Sequence, residues 1–135
     1  MRNGTTSSTL HSGIKVALAS QLSVLREGMK RILLAHEDIL VVAEAAHFRE
    51  LLDDMASLPA DALVVIAQPS TGEALDGLVH MRGARPSLSV IMIVQSPSLP
   101  QVLSILRSGV RDLLSASGVA RQLPVAVRAV AGGRL

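Results

Sequence analysis

The chain contains no cysteine, no tryptophan and no tyrosine, and Phe48 is its single aromatic residue. Without cysteine, disulfide staples and thiolate metal sites are excluded, and a reducing compartment is compatible with what remains. Without aromatics, the core has to be packed from Leu, Val, Ile, Ala and Met. The stacking platforms of a nucleic-acid binder are missing for the same reason. Lysine occurs only as Lys15 and Lys30. No apolar run approaches the roughly 20 residues of a membrane helix, and neither a G-x-G-x-x-G nor a P-loop is present. Residues 1–13 are rich in Ser, Thr and Gly and lack the apolar stretch of a signal peptide, so a mobile tail is expected there.

What is present is aliphatic. The 135 residues are 49% hydrophobic, enough for one compact domain that buries a core unaided. Thirteen basic and eleven acidic residues leave a net charge of +2. The arginines are scattered rather than gathered in a stripe. Neither nucleic-acid nor membrane binding is therefore expected of this segment, and a cytoplasmic location is.

Residues 63–67 (LVVIA) form a continuous apolar run rich in β-branched side chains, closed by Pro69, Ser70, Thr71 and Gly72. That pattern predicts a strand buried on both faces, as in the middle of a parallel sheet. Further strands are predicted at 14–19 (IKVALA), 39–43, 90–94 and, briefly, 112–114. Between them lie helical periods. Leu22, Leu25, Met29, Ile32 and Leu33 share one face, with Arg26, Glu27, Lys30 and Arg31 on the other. Phe48, Leu51, Leu52 and Met55 mark a second helix, and Leu75, Leu78 and Val79 a third, weakened by Gly77. Pro100 suits the first turn of a fourth helix that stops at Gly109. Val119, Leu123, Val127 and Val130 mark the last, in which Pro124 predicts a late start or a kink. The alternation of strand and helix predicts an α/β domain, a doubly wound five-stranded parallel sheet with helices on both faces.

In such sheets function gathers at the carboxyl ends of the strands. The central strand ends here in Ile66, Ala67 and Gln68, none of which ionises.

At this point the chain resembles the receiver domain of NarL/FixJ-type bacterial response regulators. KVALASQLSVLREGMKRIL is similar to that family's first strand and helix, including Arg26-Glu27-Gly28. ILVVAEAAHFRELL is similar to its second strand and helix, VLSILRSGVRDLL to its fourth helix and fifth strand, and LPVAVRAVAGGRL to its last helix. The resemblance covers residues 14–135 and implies the strand order 2-1-3-4-5. It also implies a site. Receivers of this family phosphorylate an Asp ending the third strand. Two acids after the first strand hold Mg²⁺, a Thr or Ser ends the fourth strand, and a Lys follows the fifth.

Carried onto this chain, the acidic pair falls on Ser20 and Gln21, and the phosphoacceptor on Ile66 or Ala67. The hydroxyl position is Val94, the lysine Ala116, and the aromatic switch Leu113. Every position departs from the family pattern. Mg²⁺ needs at least one or two carboxylates, and an acyl phosphate needs one to form. The resemblance therefore implies a degenerate receiver, a pseudo-receiver with no enzymatic activity and no cofactor.

Other residues offer little chemistry. Asp53-Asp54 lie beside Leu51, Leu52 and Met55 and read as a solvated helix face rather than a metal pair. His11, His36, His47 and His80 lack i,i+4 ligand spacing. Ser20, Ser96 and Ser98 have no base or orienting acid nearby in sequence and read as caps and loop hydrogen-bond formers. The 68–72 loop reads as a turn in preference to a phosphate site.

Aliphatic side chains exceed one buried stripe on two helices, at Leu99, Val102, Leu103, Ile105 and Leu106 and at valines 119, 125, 127 and 130. Leu99, Val102, Leu103, Leu106 and Val125 form a candidate dimer surface, with compensation for missing core aromatics as the competing reading. The expected function is that of a phosphorylation-independent regulatory domain of a transcription regulator. It would act as a homodimer or as a heterodimer with a related regulator, and the resemblance implies a LuxR-type helix-turn-helix after residue 135. The alternatives are a small-molecule sensor using the degenerate edge, or a stand-alone scaffold for signalling proteins.

Overall fold

The computed structural model describes residues 13–47, 50–51, 60–66, 83, 88–95 and 97–132. Five strands, β1 (Ile14–Ser20), β2 (Ile39–Ala45), β3 (Ala62–Ile66), β4 (Ser89–Val94) and β5 (Asp112–Ser115), form one parallel sheet in the order β2-β1-β3-β4-β5. The described helices are α1 (Ser23–Leu34), α2 (Leu99–Arg107) and α3 (Val119–Gly132), the last preceded by a 3-10 turn, Ala116–Gly118. This is the parallel sheet with helices on both faces expected from the strand-helix alternation, in the receiver or flavodoxin-like strand order that the family resemblance implies. Glu50 and Leu51 are helical, but most of the second and third predicted helices lie outside the described residues. So do the 68–72 loop, Asp53-Asp54, His11, His80, Ser96 and the 1–12 stretch.

Strand side chains alternate between two aliphatic cores, as a period of two requires. Val16, Leu18, Val64, Ile91 and Ile93 meet Met29 and Leu33 of α1 and Leu123, Val127 and Val130 of α3. On the opposite face Ala17, Ala19, Leu63, Val65, Val90, Met92 and Val94 meet Leu51 and Ile105 of α2. Both cores are built without a described aromatic side chain.

The helix ends follow local chemistry. Ser98 caps α2 in a reciprocal capping box with Gln101, and Pro100 occupies the first turn. After α2, Gly109 adopts φ 95°, a left-handed conformation that side chains disfavour. The last helix does not start late. It begins at Val119 and carries Pro124 inside it. The proline removes one N–H, and the carbonyl it would have served belongs to Ala120, an exposed residue that can turn to water.

At the amino-terminal edge, Arg128 of α3 reaches the turn before β2. Its Nε donates to Asp38 Oδ2 at 2.7 Å and its Nη2 to Asp38 Oδ1 at 2.9 Å, with His36 Nδ1 2.9 Å from the same Nη2. The hydrogen bond from Arg128 holds the Asp38 carboxyl below its ordinary value. Such a pair contributes at neutral pH, and its contribution disappears as pH falls through the lowered native pKa. Arg128→Gln should therefore lower Tm at pH 7, and the difference from wild type should begin to shrink below about pH 4, where the unfolded carboxyl protonates, and vanish only below the lowered native pKa. Paired thermal melts across this range check the sign.

Candidate functional site

The carboxyl edge of the sheet is assembled from the ends of β1, β3, β4 and β5. Ser20 and Ile66 are register partners across β1 and β3, and Ile66 pairs with Ile93 of β4. Val94 pairs with Ser115, placing Ala116 one residue beyond β5. The residues singled out from sequence are thus brought to one edge but divided between its faces. Ile66 and Ala116 pack against the α1–α3 core. Val94 belongs to the core on the α2 side, against which Leu113 also packs. Gln21 is exposed, and Ala67 lies outside the described residues.

Among the described residues, no carboxylate stands at the carboxyl end of β1 or β3. Asp61 sits at the opposite end of β3, where its Oδ2 accepts from the Lys15 amide at 2.9 Å. Asp112 opens β5. Among the described residues no group of three or more His, Asp or Glu side chains is placed to hold a metal ion. Ser20 is buried, and its hydroxyl is taken up locally. It accepts from the Leu22 amide at 3.2 Å and donates to the Leu22 carbonyl at 3.3 Å. That is a loop-forming hydroxyl. Ser115 likewise accepts from the Ser117 amide, and Ser98 is spent on its helix cap.

Sequence reading missed one polar cluster here. Arg26, expected on a solvated face of α1, instead turns toward the β1–β2 edge. Its Nη1 donates to the Ser20 carbonyl at 2.6 Å, and its Nε lies 3.4 Å from Glu44 Oε1 of β2. Lys30, one turn on, places Nζ 2.8 Å from Glu44 Oε2. The hydrogen bond from Lys30, then the charges of Lys30 and Arg26, hold the Glu44 carboxyl below its ordinary value. The Lys30 ammonium is correspondingly raised by Glu44. The i,i+4 spacing of Arg26 and Lys30 was the visible signal, but Glu44 could not be matched to it without the sheet register.

The residues named as a candidate dimer surface differ in exposure. Leu99 is 70% exposed and Val125 62%, with Leu103 and Leu106 also exposed. Val102 is half-buried, and Ile105 is buried in the core. Additional exposed aliphatics stand on the first turn of α1, where Val24 is 81% exposed beside Leu22 and Leu25.

No protein-family model matches the chain, and no curated protein matches it by sequence. Solved structures do match in fold. The RcsB response regulator of Salmonella typhimurium superposes with TM-score 0.81 at 20% identity, over 90% of this chain and 61% of that one. The signal receiver domain of the response regulator NarL from Mycobacterium tuberculosis gives TM-score 0.81 at 20% identity, over 91% and 99%. A pilus assembly-related protein of Burkholderia pseudomallei gives 0.77 at 18%, over 90% and 91%. The chain spans about three fifths of the RcsB chain it matches. At these identities the likeness establishes the receiver fold, whose neighbours include NarL- and RcsB-type receiver domains. No helix among the described residues is long and apolar enough to cross a membrane.

The edge chemistry yields a direct test. Ile66→Asp would place a carboxylate against an aliphatic core, with Ala116 where a lysine would be needed. Stability should fall by about 1–3 kcal/mol in chemical denaturation, without phosphorylation by acetyl phosphate. A variant as stable as wild type that accepts phosphate would show that β3 has been wrongly placed.

Proposed function

We propose that this chain is a receiver-like regulatory domain that signals by association rather than by phosphorylation. The observation carrying the reading is the pairing of Ser20 with Ile66 at adjacent strand ends, with Ile66 and Ala116 both packed on the α1–α3 core. A phosphorylated receiver needs an acceptor carboxylate, a metal-binding carboxylate and a cation at these positions. Here they carry a hydroxyl already engaged in the backbone and two apolar side chains. Val94 and Leu113 likewise offer neither the hydroxyl nor the aromatic of a phosphate-gated switch.

A domain without that gate can regulate if its contact surface is already competent. Exposed aliphatics on α2, α3 and the first turn of α1 supply candidates for that surface. RcsB, a neighbour in fold, has been solved as dimers bound to DNA. By analogy this domain would pair with itself or a related regulator inside a cytoplasmic transcription factor, with DNA contacts left to another part of the protein. Residues 14–135 would form the domain and 1–13 a tail.

Two measurements test this. Acetyl phosphate or beryllofluoride with Mg²⁺ should leave intact mass and Tm unchanged, since a ligand that binds only the native state must raise Tm. A phosphoryl group mapped to Asp or Glu would refute the reading. Light scattering from micromolar to submillimolar protein should show self-association that one of Val24→Glu, Leu103→Glu and Val125→Glu abolishes. Each aliphatic side chain fully buried at the contact contributes roughly 1.5–3 kcal/mol before association costs. The variant that yields monomers identifies the face. A wild type that stays monomeric throughout rejects self-association.

A further inference from the structure

The carboxyl edge of β1 is closed by a cation of the chain itself. Ser20 ends β1 and is buried, and its carbonyl accepts from Arg26 Nη1 at 2.6 Å. The Ser20 hydroxyl bonds both polar groups of the Leu22 backbone, and the Leu22 carbonyl accepts the first helical bond of α1, from the Arg26 amide at 2.9 Å. The Arg26 side chain therefore returns across the loop that its own backbone terminates. Its other arm reaches Glu44 of β2, and Lys30 holds the second oxygen of the same carboxylate. α1 has no side-chain cap at its N-cap residue, Leu22, and no acidic residue in its first turn. The usual means of fixing a helix start are missing, and the Arg26 bridge stands in their place.

This first turn is also where α1 exposes Leu22, Val24 and Leu25. We propose that Arg26 is a positioning residue that clamps the first turn of α1 to the ends of β1 and β2, holding this apolar patch in one orientation without a bound ion. The functional consequence rests on the association reading above; the clamp itself does not. A guanidinium fork can span a carbonyl and a carboxylate at once, whereas an ammonium offers one compact charge.

The experiment is residue-resolved amide hydrogen exchange on wild type, Arg26→Gln, Arg26→Lys and Glu44→Gln, with light scattering on the same samples. In Arg26→Gln, protection at Leu22 and at residue 26 should fall on the order of tenfold, while Leu123 and Val127 of α3 keep theirs. Self-association should weaken in parallel. Arg26→Lys should recover part of the protection, and Glu44→Gln should loosen the same amides less. Val24→Glu should abolish association while leaving protection intact. Unchanged protection in both Arg26→Gln and Glu44→Gln would overturn the clamp; should Arg26→Gln fail to fold, Glu44→Gln still decides. Lost protection with undiminished association would overturn its coupling to the patch. A monomeric wild type would reject the association reading, and the exchange data would then judge the clamp alone.

Discussion

Strands β1, β3 and β4 bury side chains on both faces, so almost every residue along them must be apolar. Their backbone groups find partners in the neighbouring strands until the strands end. Polar chemistry is therefore confined to the two edges of the sheet, where the chain leaves the ladder. Each edge carries a basic side chain that bridges elements. Arg26 joins β1 to β2 at the carboxyl edge, and Arg128 joins α3 to the turn before β2 at the amino edge. Both hold one flank of the sheet to a helix on the same face.

That arrangement explains how a receiver fold can carry apolar residues at these strand ends. The cores on the two faces require aliphatic volume and strand period. Ile66 and Ala116 add to one core, and Val94 and Leu113 to the other. Apolar residues at these four positions are thus compatible with the fold for the same reason that they are unsuited to phosphoryl chemistry. Likeness of fold to NarL- and RcsB-type receivers speaks to architecture, and function has to be argued from the edge.

The outer surfaces differ in kind. On α2 the exposed leucines lie away from Ile105, the residue the helix buries. On α1 the exposed aliphatics sit at the helix start, beside the loop that Arg26 closes. A partner covering the second patch would meet a surface set by the strand ends, whereas one covering α2 would meet a helix with its own capping box.

The elements were legible because their signals are local. Short, largely continuous apolar runs marked the strands, and Pro100 with Gly109 bracketed α2. The strand order was implied by the family resemblance rather than by any spacing, and the sheet has that order. That Ser20, Gln21 and Ile66 carry no ionisable group could be read directly, because residue identity needs no coordinates. What the sequence could not decide was which distant groups meet. Asp38 and Arg128 are 90 residues apart, and Glu44 faces Arg26 and Lys30 only because β2 lies beside β1 in a particular register. Nor could periodicity separate exposed Leu103 from half-buried Val102, or show α3 running through Pro124. Periods of 2 and 3.6 residues are written along the chain, whereas partners across the sheet exist only once the chain has packed.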